Sequence, residues 1–143
     1  MNKILNRKAF HEFFILDDYI AGLQLVGSEV KSIRKGDCNI SDAYIYIKDG
    51  EVFVRNMWIA QHKESTYQNH DENRDKKLLL SRQEINQIEK KMDKGTTIIP
   101  LEVFCLKNRL KIKIGIAKGK KSWDKRESIK KKDLEREMKR GQI

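Results

Sequence analysis

The hydrophobic pattern of the chain consists mostly of short stretches in which apolar and polar residues alternate. In residues 110–116 four aliphatic side chains occupy every second position, with Lys111 and Lys113 between them. This period of two predicts a half-buried strand with a basic outer face. A second β-rich run, residues 101–106, precedes it, and the short link 107–109 predicts that the two strands form an antiparallel hairpin.

Two further β-rich regions lie nearer the N-terminus. Asp49-Gly50, a strong hairpin turn signal, separates residues 43–48 from residues 51–55. Residues 13–25 are also β-rich, but Asp17-Asp18 interrupts them. The interruption predicts a bent strand or a strand with a bulge, which brings the expected total to about five or six strands.

Two helices are predicted between these strands. Residues 28–35 lie between two glycines, with Ser28 placed to cap the start and Gly36 the end. Residues 81–84, Ser-Arg-Gln-Glu, form a capping box that opens a longer helix, and Gly95 is expected to end it.

Many short antiparallel strands with helices at the ends predict a mainly β (α+β) fold. We expect a small closed OB-like barrel of about six strands, with two or three helices and a basic C-terminal tail. Residues 61–77 are polar and aperiodic, and are predicted to be a mobile loop.

Charge divides the chain into two parts. The 143 residues contain 31 Lys and Arg against 21 Asp and Glu, a net charge of +10. Residues 118–143 hold 11 basic and five acidic residues, so this short segment carries +6 of the total. It has few apolar residues but a high helix propensity, which is typical of a tail that orders on an anionic surface. We therefore expect a barrel domain over 1–117 and a basic tail over 118–143.

Several classes of protein are excluded or disfavoured. The apolar runs are far shorter than the ~20 residues that span a bilayer, and the N-terminus lacks the core of a secretory signal, so we expect a cytoplasmic protein without membrane contact. The common nucleotide-binding, hydrolase and metalloprotease motifs are missing. Cys38 and Cys105 are isolated and are interpreted as small buried side chains, and no metal or cofactor is expected.

Nucleic-acid binding is the function that the basic surplus favours, because Lys and Arg contact phosphates and release counterions. Trp123 lies inside a basic run, where its ring could stack on a base or fold back over the barrel end. A small nuclease that uses His70 and Asp71 is a weaker alternative, since a histidine in a polar loop is more often only solvent-exposed.

Five motifs, in order and at their spacing, resemble the SsrA-binding protein family, whose members are the protein partners of transfer-messenger RNA. The resemblance covers nearly the whole chain and rests on Asn6-Arg7-Lys8-Ala9 and on the segments 27–32, 39–44, 75–80 and 117–127.

The resemblance implies a non-enzymatic adaptor of trans-translation, the rescue of bacterial ribosomes stalled without a stop codon. The barrel would bind the tRNA-like domain of transfer-messenger RNA, as a monomer with one copy per RNA. The tail would mimic the anticodon arm and codon in the decoding centre of the 70S ribosome and become helical in the messenger channel. A general OB-type RNA-binding protein without a dedicated RNA is the runner-up.

Site residues follow from the same resemblance, position by position. It implies that the barrel binds RNA through Asn6, Arg7, Lys8, Phe13, Glu29, Lys31, Leu79 and Lys111. It implies that the tail acts on the ribosome through Lys118, Gly119, Lys120, Lys121, Trp123, Asp124, Lys125 and Arg126. Two positions depart from the family pattern: Ile20 replaces an acidic RNA-contacting residue of some relatives, and Gly141-Gln142 replaces an apolar pair.

Overall fold

The computed structural model describes residues 1–61 and 71–120, which contain nine strands and three helices. The strands are β1 Ile4–Leu5, β2 Phe13–Leu23, β3 Cys38–Asn39, β4 Tyr44–Lys48, β5 Glu51–Arg55, β6 Trp58–Ile59, β7 Lys76–Leu79, β8 Thr96–Leu106 and β9 Arg109–Gly119. The helices are α1 Arg7–Glu12, α2 Gly27–Arg34 and α3 Arg82–Lys91.

Six antiparallel strands close into a ring, which we call the barrel. Neighbouring strands follow the order β8-β4-β5-β7-β2-β9, and β9 pairs back onto β8 to complete the circle. Strand β1 extends the sheet beside β8, and β3 and β6 form a separate two-stranded ribbon. Closure leaves few unpaired strand edges. The predicted fold class, a mainly β protein built on a closed antiparallel sheet, is confirmed.

Both predicted hairpins are present, and their turns explain their register. Asp49 and Gly50 connect β4 to β5 with φ values of 53° and 75°. Lys107 and Asn108 connect β8 to β9 with φ values of 50° and 65°. Two consecutive left-handed residues match the twist of a two-residue hairpin.

Strand β2 is continuous and contains the predicted bulge. Ile15 lies opposite Ala117 and Asp17 opposite Ile116, so Leu16 is the extra residue. On the far side of the bulge, Asp17 forms an ion pair with Lys91 of α3, whose Nζ also donates to the Tyr19 hydroxyl at 2.8 Å. The bulge thus aims β2 side chains at the helix that covers one end of the barrel.

The predicted N-cap of α2 is wrong. The helix begins one residue before Ser28, and Val26 is the N-cap, with its N–H donating to the Glu29 carboxylate at 2.9 Å. The end is as predicted, since Gly36 adopts φ 85° and donates to Ile33 O at 2.9 Å, while Asp37 donates to Ser32 O at 2.9 Å. This pair of bonds is the Schellman arrangement.

Helix α3 has the predicted capping box, in which Ser81 Oγ accepts from the Glu84 N–H at 3.1 Å and the Glu84 carboxylate accepts from the Ser81 N–H at 3.1 Å. It ends at Lys91, before Gly95, because Met92 turns to an extended conformation. Helix α1 is an unpredicted short helix, capped by the Asn6 side chain.

The core fills the barrel and the space beneath α2 and α3. Its main cluster includes Ile33 and Ile88 from the helices, with Val52, Ile112 and Ile114 from the strands. A smaller cluster of Ala9, Ile99, Leu101 and Ala117 lies under α1.

Two predicted boundaries need correction. Strand β9 runs through Gly119, two residues past Ala117, the predicted end of the barrel domain, because its last residues pair with the start of β2. In the predicted loop 61–77, Lys76 and Lys77 belong to β7. Residues 62–70 of that loop, and all of the predicted tail after Lys120, lie outside the described residues.

Candidate nucleic-acid interface

Two of the predicted RNA-binding residues, Leu79 and Lys111, meet on the outer face of the barrel on either side of Gly22. Gly22 of β2 lies opposite Leu79 of β7 and opposite Lys111 of β9. A Cβ atom at position 22 would lie 3.2 Å from Leu79 Cβ, so the glycine allows the leucine side chain to cross the middle strand. Leu79 is nevertheless 53% exposed, which makes it an apolar projection beside a lysine.

A basic groove adjoins this row. Its volume is about 310 Å³, and its lining includes Gly22, Leu79, Arg34 of α2, and Arg109 and Lys111 of β9. The Arg34 guanidinium donates to Asn108 O at 3.0 Å, which joins α2 to the β8–β9 turn. Three cations around an exposed leucine can contact phosphates while the leucine contacts a sugar or base.

Ile20 extends the same outer face toward the middle of β2. It lies opposite Lys113 and is 47% exposed. Lys113 is 3.9 Å from Glu102. Ile20 therefore adds an exposed apolar side chain next to Lys113 on this outer face.

A second group of predicted residues lies at the other end of β2. Arg7 and Lys8 are exposed on α1, and Lys8 Nζ is 3.5 Å from the Asp42 carboxylate. Phe13 is half-buried and packs against the small core cluster under α1. Phe13 also lies opposite Gly119, so a predicted barrel residue and a predicted tail residue are paired neighbours.

The first residues of the predicted tail motif are held by the barrel. Lys118 lies opposite Phe14 in the β2–β9 ladder. The Lys120 N–H donates to Glu12 O at 2.8 Å, and its Nζ lies 3.2 Å from Phe10 O and 5.0 Å from the centre of the Phe14 ring. Chain exit is therefore fixed beside α1. The other tail residues of the prediction, Lys121, Trp123, Asp124, Lys125 and Arg126, lie outside the described residues.

The Leu79–Lys111 row and the Arg7–Lys8 end do not form one pocket. Phe13 and Gly22 are nine residues apart on β2, which is roughly 30 Å along a strand that rises about 3.3 Å per residue. Only an extended ligand can contact both the Leu79–Lys111 row and the Arg7–Lys8 end. A folded RNA has the required dimensions.

Asn6 does not have the exposed position that a direct RNA contact requires. It is 2% exposed. Its Nδ2 donates to Pro100 O at 2.8 Å and to Ile40 O at 3.3 Å, and its Oδ1 accepts from the Ala9 N–H at 3.2 Å. The side chain thus caps α1 and ties it to the barrel, so it positions Arg7 and Lys8.

Glu29 is likewise an internal residue. Its side chain is 0% exposed and forms an ion pair with Arg74, whose Nε donates to Oε2 at 3.1 Å. The carboxylate also accepts from the Val26 N–H, as described above. Of the two predicted α2 residues, only Lys31 is exposed and available to a partner.

Sequence reasoning missed the buried cation next to this pair. Lys76 is fully buried on β7, and its Nζ donates to Met57 O at 2.6 Å. Burial lowers the pKa of Lys76, and the nearby Glu29 partly opposes that shift. In the sequence, Asp75-Lys76-Lys77 is typical of a charged surface segment, and no pattern in it indicates that the middle residue is buried.

Other chemistry is sparse in the described part of the chain. Residues 1–61 and 71–120 contain no group of three or more metal-ligating side chains. No helix among those residues is long and apolar enough to cross a membrane. Burial raises the pKa of the Cys38 thiol to about 12, which keeps it protonated and unreactive at neutral pH. His70, half of the alternative nuclease pair, lies outside the described residues.

Comparisons with known proteins agree on one family. The family model described as SmpB protein matches residues 3–142. The SsrA-binding protein of Sulfurihydrogenibium sp. is 45% identical over 95% of this chain and 90% of its own length. That of Acholeplasma laidlawii is 49% identical over 93% of this chain and 90% of its own length. A solved structure described as "tmRNA-SmpB: a journey to the center of the bacterial ribosome" covers 89% of this chain and 94% of its own, with 35% identity and a TM-score of 0.71.

Proposed function

The chain belongs to the SmpB protein family, and on that premise we propose that it is the protein partner of transfer-messenger RNA in the rescue of stalled bacterial ribosomes. Relatives at 45–49% identity carry the name SsrA-binding protein, and the related solved structure is of tmRNA and SmpB in the bacterial ribosome. The protein binds transfer-messenger RNA and acts with it on the ribosome. It is an adaptor that carries out no reaction itself.

The observation that carries the RNA-binding assignment is the Leu79–Gly22–Lys111 row. It presents an exposed leucine and a lysine on either side of Gly22, with Arg34 and Arg109 lining the adjoining groove. We assign this face to the tRNA-like domain of the RNA. The cations supply phosphate contacts, while Leu79 requires a complementary surface and so favours one RNA shape over others.

The Arg7–Lys8 end has a different assignment. It lies roughly 30 Å along β2 from Leu79, next to the place where the chain leaves the barrel after Lys120. Residues 121–143 begin there, and we assign them to the ribosome, with Trp123 stacking on a base in the decoding centre. Arg7 and Lys8 contact RNA phosphates beside this exit.

Binding measurements test the barrel assignment. We expect at least a hundredfold preference for transfer-messenger RNA over an ordinary tRNA at physiological salt. Lys111→Glu should reduce affinity for transfer-messenger RNA by about tenfold or more and flatten the salt dependence, because it removes one phosphate contact and adds a repulsive charge. Lys90→Glu is the matched control, since it makes the same charge change at an exposed position of α3.

Equal effects of the two variants would assign binding to net charge alone. Together with equal affinity for both RNAs, that result would favour a general RNA-binding protein over an adaptor with a dedicated RNA.

A further inference from the structure

A second site lies at the β3–β6 ribbon, away from the Leu79–Lys111 groove. Asn39 and Trp58 are directly opposite each other in the ribbon. A shallow polar pocket of about 440 Å³ opens here, lined by Asn39, Asp42, Asn56, Trp58 and Asn73. It shares no lining residue with the groove. Its volume falls within the ~300–1,000 Å³ that is usual for small-ligand sites.

Trp58 is held in place but not covered. Its indole Nε1 donates to the Glu72 carboxylate at 2.5 Å, which fixes the edge of the ring. The residue is 38% exposed, among the large hydrophobic side chains that the described structure leaves in solvent. An indole anchored at one edge and open to solvent is a ready stacking platform, because little side-chain entropy is left to lose on binding.

The amides around the ring are available for a ligand. Asn39 Oδ1 accepts from the Ser41 N–H at 2.8 Å, which leaves its NH₂ group free among the described residues. The side-chain amides of Asn56 and Asn73 make no hydrogen bond with any residue of the described ranges 1–61 and 71–120. Each amide offers a donor and an acceptor side by side, the pattern that matches the edge of a nucleobase.

Charge selects a base over a phosphate. The pocket lining includes Asp42 and contains no cation. At the rim, Lys8 Nζ is 3.5 Å from Asp42, with the two side chains 52% and 81% exposed. Such an exposed pair is weak and can be exchanged for a phosphate contact. An aromatic face, unpaired amides and an outer lysine together fit one unstacked nucleotide.

We propose that this pocket binds a single unpaired RNA base, stacked on Trp58 and read by the Asn56 and Asn73 amides. The proposal rests on the RNA-binding function above and adds a second contact outside the Leu79–Lys111 face. The base comes either from transfer-messenger RNA or from ribosomal RNA, and the same chemistry recognises both.

A single-tryptophan chain allows a direct test. The protein has two tryptophans, so in Trp123→Phe all tryptophan fluorescence comes from Trp58. We expect single-stranded hexaribonucleotides of A, C, G or U to quench that fluorescence saturably, with at least one base preferred. Asn73→Ala in the same background should weaken binding of the preferred hexamer about fivefold or more. The Asn73 side chain makes no hydrogen bond with the described residues, so we expect this variant to fold normally.

Affinity measurements on chains with native Trp123 identify the source of the base. Trp58→Ala should weaken binding to transfer-messenger RNA or to 70S ribosomes by roughly fivefold to a hundredfold, according to which one supplies the base. Trp58→Phe keeps a stacking ring and should stay within about threefold of wild type. Thermal melting of both variants controls for damage to the ribbon.

Each result decides the proposal. No quenching by any hexamer, together with unchanged affinities in Trp58→Ala, overturns it. Weaker ribosome binding without any quenching also overturns it and indicates a basic protein segment as the occupant of the acidic rim. If the wild-type protein binds transfer-messenger RNA selectively and Trp58→Ala changes neither affinity, the pocket proposal fails while the proposed function stands.

Discussion

Buried charge is the feature of single residues that shapes this protein most. Glu29 carries a fully buried carboxylate whose ion-pair partner, Arg74, is only partly buried. Arg74→Leu should reduce the free energy of unfolding by about 2–3 kcal/mol, because it leaves the carboxylate buried with fewer partners. Urea denaturation monitored by circular dichroism measures this loss.

The exposed ion pair on the barrel surface provides the comparison. Arg55 pairs with Asp75 at 2.9 Å while both side chains remain in partial contact with water. Arg55→Leu removes the same charge and should cost only about 1 kcal/mol or less. If the two variants lost equal stability, the Glu29–Arg74 pair would have no special structural role.

The two cysteines differ in their surroundings, and this leads to a chemical prediction. Cys38 is buried and its pKa is raised to about 12, whereas Cys105 is only partly buried. Thiolate is the reactive form, so iodoacetamide at pH 8.5 should modify Cys105 while Cys38 stays unmodified until the protein unfolds. Peptide mass spectrometry over time checks the order. Modification of both thiols at the same rate in native buffer would contradict the buried position of Cys38.

At the scale of elements, the β8–β9 turn requires a left-handed backbone at two consecutive residues. Lys107 and Asn108 both have left-handed backbones, and lysine suits that conformation less well than asparagine. Lys107→Asn should therefore raise the free energy of unfolding by about 0.5 kcal/mol, and Lys107→Val should lower it by about 1 kcal/mol. Thermal unfolding of the two variants measures the signs. Shifts in the same direction would mean that side-chain contacts, rather than backbone conformation, determine the effect.

Elements with a local signal were predictable from the sequence. Both hairpins, the bulge in β2 and the capping box of α3 follow from alternation, turn residues and spacing over a few positions. The strands β1, β3 and β6 are two residues long, too short to establish a period. Their positions depend on partners far along the chain, as when Ile4 pairs with Val103.

The start of α2 shows how local signals compete. Ser28 is a good capping residue by type, but Glu29 reaches back to the Val26 N–H and begins the helix earlier. That choice is tied to the Glu29–Arg74 pair, whose members are 45 residues apart. A sequence pattern over one turn does not include that long-range contact.

For the whole molecule, the motifs predicted the family, but membership of a motif did not indicate which of its residues are exposed and which are buried. Asn6 and Glu29 were predicted to touch RNA, and the structure gives both a buried position within the protein. Leu79 and Lys111 come together only because β7 and β9 flank Gly22 in the closed ring. Their juxtaposition is a property of the strand order, which the sequence pattern alone does not specify.

The arrangement also predicts that the two ends of the molecule act separately. The Leu79–Lys111 row and the chain exit at Lys120 lie at opposite ends of the β2–β9 pair, so a change beyond the exit has little influence on the barrel face. Replacing Lys125 and Arg126 together with alanine should leave affinity for transfer-messenger RNA within about threefold of wild type and abolish tagging of stalled peptides. Equilibrium binding and a reconstituted translation assay on a message without a stop codon measure the two properties.

The matched control removes two lysines from the barrel side, Lys90→Ala with Lys94→Ala, since both are exposed at the end of α3 and in the following turn. It has the same loss of charge and should retain tagging, because Lys90 and Lys94 belong to the barrel domain and not to the segment after Lys120 that we assign to the ribosome, and neither lines the groove beside Leu79 and Lys111. If the tail variant instead lost most of its RNA affinity while the control did not, the tail would itself be part of the RNA-binding surface. A single RNA would then contact both the Leu79–Lys111 row and the region of the chain exit, which lie ~30 Å apart along β2. The barrel and the tail would then not have separate partners.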